Sequence, residues 1–349
     1  MKNGKRIFAL ATATLMTATL FAGCGPKDPA PAGSGDGDAE ATNYKIAVVP
    51  KMTSIGWFER MEEGVKAYNA DNGTGYEYLG SAEGADQASY VEGLLGEEWD
   101  AICVVPFDSE SLAPVLKKAK EAGVVVITHE AASMDPQYFD YDIEAFVNAD
   151  YGTNFAKQLI ELTGGEGKYV QFVGDLSSVS HNEWCDAADA EFAANSNMEK
   201  LGRFETKDDA TAAYNKTKEL LQANPDITAI EGSASTDVLG AAQAVEELGM
   251  AGKVHIVGTS MATICGDYVT SGTIASFSVW DPAEAGKAMI ELAIAVLDAR
   301  AAGGELDVAA TSLNAAGYET LTADEAAPTV LYGNARVDVN KDNMADYNF

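Results

Sequence analysis

The sequence is poor in basic residues and in histidine. Lys and Arg number 23 against 54 Asp and Glu, so the formal net charge is −31. A surface this acidic repels phosphate backbones and anionic lipid headgroups. We therefore expect no nucleic-acid partner and no membrane attachment through positive charge. Only three histidines occur, and none shows the spacing of metal ligands, so no metal site is expected.

Cysteine is also scarce, and the motifs of common enzyme classes are missing. Beyond Cys24, the other cysteines (Cys103, Cys185 and Cys265) are odd in number and match no zinc pattern, so we assign them no role. No G-x-G-x-x-G follows the first predicted strand, and the chain has no G-x-S-x-G elbow and no Walker-type loop. We therefore predict a protein that is not an enzyme and uses no cofactor.

The first 24 residues have the pattern of an export signal. Three basic residues precede a short apolar stretch from Ile7 to Leu20, which is too short and too rich in threonine to span a membrane comfortably. The stretch ends in "LFAGC", which resembles the lipobox of bacterial lipoproteins. That resemblance implies removal of residues 1–23 and a diacylglyceride on the sulfur of Cys24. Two acyl chains would anchor the protein to the cell membrane, in the periplasm or at the cell surface.

The segment after the lipobox has almost nothing to bury. Residues 24–43 are rich in Gly, Pro, Ala and Asp, and we predict a disordered tether there. The folded part is then expected to begin near Tyr44. About 300 residues remain, which is more than one compact core usually holds, so two lobes are expected.

Short apolar runs recur along the rest of the chain. They are rich in Val and Ile without strict alternation, which is typical of strands covered on both faces. The runs are "KIAVVP", "AICVVP", "GVVVITHE", "KYVQFVG", "ITAIEG", "KVHIVG" and "ASFSVWDP". Amphipathic helical stretches lie between them. This alternation predicts an α/β protein with parallel sheets.

Three breaks in this rhythm predict where the chain passes between the lobes. The first is the long polar segment after "VVVIT", and the second is near Trp280–Pro282. The last segment, "TVLYGNARVDVNKDN", is interpreted as strands added to lobe 2 after a third passage. Lobe 1 is accordingly predicted to contain residues 44–147 and 282–310, and lobe 2 to contain residues 148–281 and 311–349.

Ligands of open parallel sheets bind beyond the carboxyl ends of the strands, so the cleft between two such sheets is the expected site. The residues that follow the apolar runs include aromatic rings, carboxylates, amides and one lysine. This mixture suits a neutral sugar or polyol, because its C–H faces stack on rings and its hydroxyls donate to carboxylates. The candidate ligand-binding residues are Lys51, Trp57, Phe58, Glu130, His181, Asn182, Ser235, Asp237, Trp280 and Asp281.

Several candidates have an alternative, purely structural interpretation. Phe58 is alternatively the start of the buried face of the first helix, with Trp57 as a hydrophobic staple. Glu130 is alternatively a solvated acid on a loop. Asp237 and Asp281 are alternatively helix N-caps, a position that Asp favours.

Four segments together resemble one family. They are "IAVVPKMTSIGWF", "IVGTSMATICGDYVTSGT", "VWDPAEAGK" and "ARVDVNKDNMADYNF". The chain resembles the type I periplasmic binding proteins, the sugar-binding receptors of ABC importers, and in particular the branch of the autoinducer-2 and rhamnose receptors. The resemblance implies two Rossmann-like lobes joined by three hinge strands, with the ligand trapped when the lobes close. We expect a monomer that delivers its ligand to the permease and ATPase subunits of an importer.

The resemblance also carries over to particular residues. The branch uses a lysine after the first strand, here Lys51, and a carboxylate after the fourth, where Glu130 replaces the usual Asp. An Asp-Gln pair and a later Pro and Ala of the autoinducer-2 receptors are replaced in this chain. The replacing residues are Ser180, His181, Ser233 and Ser235. The alternative function is a receptor that signals to a chemotaxis or kinase partner without transport.

Overall fold

The chain forms two mostly parallel sheets flanked by helices in a computed structural model, which describes residues 44–347 and 349. The predicted export signal (1–23), the predicted tether (24–43) and Cys24 lie outside the described residues. Within the described part, no helix has the length and apolar character needed to cross a membrane.

The described residues contain thirteen strands. In chain order they are β1 (Ile46–Val49), β2 (Glu77–Tyr78), β3 (Ala101–Val104), β4 (Val125–Thr128), β5 (Tyr141–Glu144), β6 (Lys168–Val173), β7 (Glu199–Glu205), β8 (Ile227–Gly232), β9 (His255–Thr259), β10 (Ile274–Val279), β11 (Thr322–Ala323), β12 (Val330–Tyr332) and β13 (Val337–Val339). Every residue of β1, β3 and β4 is buried, as expected for strands covered on both faces.

The same part of the chain contains nine α-helices. They are α1 (Gly56–Asn72), α2 (Gln87–Leu94), α3 (Ser109–Glu121), α4 (Asn148–Thr163), α5 (Val179–Asn195), α6 (Ala210–Ala223), α7 (Ser235–Glu247), α8 (Ala262–Ser271) and α9 (Pro282–Ala301). The last of these begins at Pro282, as the sequence predicted, because proline suits the first helical turn.

Each lobe is built on one sheet. The lobe 1 sheet has the order β11-β12-β5-β4-β3-β1-β2, and the lobe 2 sheet has the order β13-β10-β9-β8-β6-β7. Neighbouring strands are parallel except for two antiparallel pairs, β11 with β12 and β10 with β13. The chain crosses between the sheets three times: after β5, after β10 and after β12. The predicted fold class, two Rossmann-like lobes joined by three hinge segments, is confirmed.

The third crossing lies later in the chain than the sequence suggested. Residues 311–349 were all expected in lobe 2, but Val330–Tyr332 pairs in parallel with Tyr141–Glu144 in the lobe 1 sheet. Only Val337–Val339 joins lobe 2, where it pairs with β10. The physical reason is the edge of β5, whose backbone groups would stay unpaired without the hairpin of β11 and β12.

Four strands were not foreseen in the sequence: β2, β5, β7 and β11. The β2 strand has only two residues, and β7 is a partly exposed edge strand with charged ends. The β5 strand lies inside the long polar segment that was interpreted as a loop. It contains the acidic residues Asp142 and Glu144, both of which are buried, and burial raises the pKa of both. An apolar pattern alone misses strands of this kind.

Helix α1 packs closely on α9 and thereby fixes the start of the cleft. Phe58, Met61 and Val65 form its buried face, as predicted. Gly64 lies directly against α9, since a Cβ atom there would be 2.2 Å from the carbonyl oxygen of Ala283. Glycine is thus needed at this position to let the two helices touch.

The close approach predicts the effect of a single added methyl group. Gly64→Ala forces α1 away from α9, and we expect it to lower the free energy of unfolding by about 1–3 kcal/mol, as overpacking does. Gly93→Ala in α2 is the matched control, because no atom lies within 4 Å of its added Cβ. We expect the control to be neutral or slightly stabilising. Chemical denaturation measures both, and equal stabilities of the two variants would contradict the proposed contact.

Candidate ligand-binding cleft

The carboxyl ends of strands from both sheets line one small cavity, whose volume is about 20 Å³. This is room for about one water molecule and far below the range for small-molecule sites, roughly 300–1,000 Å³, so side chains or lobes must move apart to admit a larger ligand. Seven of the ten predicted residues lie in the lining: Lys51, Trp57, Phe58, Glu130, His181, Ser235 and Trp280. The lining also contains Ile55, Asp208, Ser233, Ala234 and Thr259.

Two predicted residues lie outside this lining because their side chains are engaged elsewhere. Asn182 donates to the carbonyl oxygens of Leu176 and Ser178 and accepts a hydrogen bond from Arg203.

Asp281 accepts the backbone N–H of Ala283 at 2.9 Å, so it is the N-cap of α9. It also pairs with Arg60 through both guanidinium nitrogens that face it, at 2.9 and 2.7 Å. For Asp281 the structure agrees with the alternative interpretation as a helix cap.

Asp237 is the third predicted residue outside the lining. It is fully buried in the first turn of α7, where its carboxylate accepts the N–H of Ala234 and the hydroxyl of Thr206. The N-cap position itself is Ala234, and Asp237 is the third residue of the helix, where its carboxylate caps the first turn. Burial raises the pKa of Asp237 to about 7 against the opposing effect of the Thr206 hydrogen bond. Its role in the fold is to join α7 to the end of β7.

A buried ion pair forms the floor of the cavity. The Lys51 ammonium lies 2.5 Å from the Glu130 carboxylate, and the two residues are 3% and 4% exposed. Burial lowers the pKa of Lys51, but the nearby carboxylates of Glu130, Asp208 and Glu144 outweigh it and raise the pKa above its usual value. Lys51 is thus charged at neutral pH. Its ammonium has three donors and one acceptor within reach, so it retains donors for a ligand.

The burial of Glu130 excludes the interpretation as a solvated acid. Its backbone is left-handed, with φ of 59°, which side chains other than glycine rarely adopt. The next two residues are held by Glu144, whose carboxylate accepts the N–H groups of Ala131 and Ala132 at 3.0 and 3.2 Å. Backbone strain of this kind costs about 1–3 kcal/mol and concentrates at functional sites. The strand β5, at the first crossing, thus positions the carboxylate of Glu130.

His181 presents a donor to the cavity. Its Nδ1 accepts the backbone N–H of Gly174 at 3.1 Å, so in the neutral ring the proton is on Nε2. Burial and the charge of Lys51 lower the pKa of His181 well below its usual value, so the ring is neutral. The Nε2 atom lies 3.5 Å from Lys51 Nζ. These are two donors side by side, an arrangement that suits an acceptor oxygen of a ligand placed between them.

The aromatic side of the cavity consists of Trp57, Phe58 and Trp280. The rings of Trp57 and Trp280 meet edge to face with centroids 4.6 Å apart. The Trp280 indole donates to His129 Nε2 at 3.2 Å, and His129 Nδ1 in turn donates to the carbonyl of Ile143. Phe58 both lines the cavity and begins the buried face of α1, so both interpretations of this residue apply.

The two lobes are in contact across the cleft. Lys51 of lobe 1 faces His181 of lobe 2, and at the rim the Ser177 hydroxyl of lobe 2 donates to the Asp108 carboxylate of lobe 1 at 3.0 Å. The cavity is therefore enclosed by side chains from both lobes. It offers ammonium and imidazole donors, two carboxylates and aromatic rings. No group of His, Cys, Asp and Glu among the described residues has the geometry to hold a metal ion.

The most informative lining residue that sequence reasoning missed is Asp208. It follows β7, and that strand was not predicted, so the rule of inspecting strand ends was never applied there. Asp208 is buried and shares the left-handed conformation of Glu130, with φ of 52°. Thr259 was missed for a different reason. It is the last residue of β9, a predicted strand, and only the residues after each strand were inspected.

The fold and this cleft define a two-lobed binding protein for a small molecule. Residues 46–301, more than half of the chain, match the family described as "Periplasmic binding protein domain". The chain therefore belongs to the periplasmic binding protein family.

Curated relatives support the assignment. The D-ribose/D-allose-binding protein of Pseudomonas aeruginosa is 29% identical over 228 residues, which cover 61% of this chain and 70% of that protein. The D-allose-binding periplasmic protein of Escherichia coli is 26% identical over 257 residues, which cover 71% of this chain and 83% of that protein.

Solved structures share the fold. LsrB from Clostridium saccharobutylicum, in complex with AI-2, superimposes with a TM-score of 0.79 at 22% identity, over 87% of this chain and 100% of that one. An ABC transporter solute-binding protein from Clostridium phytofermentas with bound L-rhamnose gives a TM-score of 0.78 at 18% identity, over 88% and 98% of the two chains.

The contacts of Asp281 predict that its role is in stability and not in binding. Asp281→Ala removes the N-cap of α9 and the pair with Arg60, and we expect it to lower the free energy of unfolding by about 1–2 kcal/mol. Ligand affinity should stay at the wild-type level, because Asp281 does not line the cavity. Denaturation and calorimetric titration measure the two effects separately. A variant that keeps wild-type stability but loses ligand affinity would contradict this prediction and indicate that Asp281 contributes to binding.

Proposed function

We propose that this protein captures a neutral monosaccharide or sugar-like polyol outside the cytoplasm and delivers it to an ABC importer. The observation that carries the proposal is the composition of the enclosed cavity. One ammonium, one neutral imidazole, two buried carboxylates and three aromatic rings converge there from both lobes. The names of the curated relatives, which bind ribose and allose, support the same class of ligand.

Each part of a sugar has a complementary group in the cavity. Ring and hydroxyl oxygens can accept from Lys51 and from the Nε2–H of His181. Hydroxyl groups can donate to Glu130, and charge-assisted hydrogen bonds of this kind are about twice as strong as neutral ones. The C–H faces of the sugar can pack on Trp57 and Trp280, whose ring faces are electron-rich.

The charges of the cavity favour a neutral ligand. The positive charge of Lys51 is already matched by Glu130 at 2.5 Å, and a second carboxylate, Asp208, also lines the cavity. A sugar acid or sugar phosphate would bring its charge against two carboxylates with only one ammonium to offset them. Such juxtaposition of like charges costs several kcal/mol and excludes wrong ligands.

Lobe closure is the proposed mechanism of capture. The open protein samples closure by bending at the three crossings, a hinge motion common in ligand-binding proteins. A sugar that bonds to Lys51 and Glu130 in lobe 1 and to His181 in lobe 2 binds the closed form better than the open form. It therefore shifts the population to the closed form. The contacts seen across the cleft support a closed form of this geometry.

Delivery follows from the closed shape. The loaded monomer docks on the permease pair of an importer, an ATPase drives the transport cycle, and opening of the lobes releases the sugar. Membership of the periplasmic binding protein family supports an extracytoplasmic location and binding without catalysis. We further propose that a lipid on Cys24 holds the protein at the membrane.

The binding and closure steps are tested together with a ligand panel. The panel contains D-ribose, D-allose, L-rhamnose, xylitol, autoinducer-2, a sugar acid and a sugar phosphate. We expect at least one neutral member to bind with a stoichiometry of one in calorimetry and to reduce the radius of gyration in small-angle scattering. Failure of every neutral member to bind, preferred binding of an anion, or chemical turnover of a bound sugar would each overturn the proposal.

A lysine variant tests the assigned site. Lys51→Met removes the only ammonium of the cavity, and we expect the affinity for the best neutral ligand to fall about 100-fold or more, as when a charged hydrogen-bond partner is lost. Lys66→Met is the matched control, because Lys66 is an exposed residue of α1 that pairs with Glu62 on the helix surface and does not line the cavity. Equal affinities of the two variants would remove Lys51 from the site.

The proposed lipid anchor has its own test. The full-length chain and its Cys24→Ser variant are expressed in a bacterium with lipoprotein processing, and the membrane and soluble fractions are compared by immunoblot. We expect the wild type in the membrane fraction and the variant released or unprocessed, because two acyl chains give stable anchoring. A wild type found entirely in the soluble fraction would contradict the anchor and leave the binding function untouched.

A further inference from the structure

The turn after β7 places the side chain of Asp208 in the cleft and has an unusual backbone conformation. Lys207 and Asp208 both have a left-handed backbone, with φ of 59° and 52°. The turn is fixed on β6, because the N–H of Lys207 donates to the carbonyl of Gly174 at 2.7 Å and the N–H of Thr206 to that of Val173 at 2.9 Å. Non-glycine residues adopt this conformation only where the surroundings impose it.

The space for the Asp208 carboxylate is made by Gly174. A Cβ atom on Gly174 would be 2.4 Å from the Asp208 Oδ1 atom, so any larger residue there would displace the carboxylate. The carboxylate lies where the inner cavity meets the wider outer part of the cleft, and Asp208 and Ile55 line both. The left-handed backbone and the missing side chain of Gly174 thus hold the Asp208 carboxylate at the neck of the site, which is the junction between the inner cavity and the outer cleft.

Asp208 has no hydrogen-bond or ion-pair partner among residues 44–347 and 349. Asp208 is 5% exposed, and its carboxylate forms no hydrogen bond or ion pair with any residue that the structure describes. The titratable groups that face it are Lys51 and Glu130 from lobe 1 and Asp175, Lys207 and Asp237 from lobe 2. Neither ammonium group forms an ion pair with Asp208, since Lys51 pairs with Glu130 and Lys207 pairs with Asp175 and Glu205. A buried carboxylate is normally hydrogen-bonded, so this one lacks a donor that a ligand can supply.

We propose that Asp208 is a specificity-determining residue that accepts hydrogen bonds from two neighbouring hydroxyl groups of the bound sugar or polyol. The inference rests on the proposed function and adds the required ligand chemistry, a vicinal diol at the neck of the cavity. This role of Asp208 also gives lobe 2 a charged contact with the ligand in the closed form. A ligand that donates to Asp208 and accepts from Lys51 links the lobes through two charged groups.

The protonation state of Asp208 makes the contact pH-dependent. Burial raises the pKa of Asp208 to about 6, Lys51 acts to lower it, and Glu130 and Asp175 act to raise it. The charged carboxylate accepts two hydroxyl donors, whereas the protonated form loses acceptor capacity. Affinity should therefore be full near pH 8 and should fall as the pH is lowered through 6.

The experiment compares Asp208→Asn with the wild type, using the tightest-binding member of D-ribose, D-allose, L-rhamnose and xylitol. At pH 8 we expect the affinity of Asp208→Asn to be lower by about 10- to 100-fold, the usual effect of losing hydrogen bonds to a charged group. Glu83→Gln, which removes an exposed acid at the outer rim, should keep wild-type affinity. Between pH 8 and pH 5 the wild type should lose affinity, and Asp208→Asn should show a flatter profile.

Thermal unfolding separates this role from a structural one. Asp208→Asn removes an unpaired buried charge, so the melting temperature of the ligand-free variant at pH 8 should equal or exceed that of the wild type. A variant that loses affinity and melting temperature together would overturn the inference. If Asp208→Asn does not fold, Asp208→Ser is measured in the same way.

The outcomes distinguish this inference from the function on which it rests. Wild-type affinity and pH profile in Asp208→Asn would overturn the role of Asp208 and leave sugar binding intact. Failure of the wild type to bind any of the four probes or autoinducer-2 would overturn both.

Discussion

The buried ion pair between Lys51 and Glu130 determines the chemistry of the cleft. The Lys51 side chain is buried, and the carboxylates of Glu130, Asp208 and Glu144 outweigh its desolvation and raise its pKa. The pair leaves the ammonium with spare donors and the cavity with one more carboxylate than cation. The proposed preference for an uncharged ligand rich in hydroxyl groups rests on this balance. Burial and the charge of Lys51 together keep His181 neutral.

The architecture explains why these groups meet. Parallel strands aim their carboxyl ends at one edge of each sheet, and three crossings bring the two edges together. The strained turns at Glu130 and Asp208 are held by contacts from the rest of each lobe: Glu144 behind Glu130 and the β6 backbone behind Asp208. Contacts within each lobe thus fix the positions of the two carboxylates that line the cavity.

The sequence predicted the fold class and most of the cavity because both follow from patterns along the chain. Val- and Ile-rich runs locate buried strands, and the residues just after them, such as Lys51 and Glu130, line the site. Strands without that pattern were missed, and Asp208 was missed with β7 because an edge strand need not be apolar. The position of Asp237 was misjudged for a different reason. A carboxylate in the first turn of a helix can accept hydrogen bonds from backbone N–H groups as readily as from a ligand. The sequence alone does not distinguish these two roles.

The most direct test of the central claim is a crystal structure of the protein bound to its best neutral sugar. The account predicts one sugar enclosed between the lobes, with Lys51 and Glu130 contacting it from lobe 1 and His181 and Asp208 from lobe 2. A sugar that contacts only one lobe, or a Lys51–Glu130 pair that stays shielded from the sugar by other side chains, would contradict it.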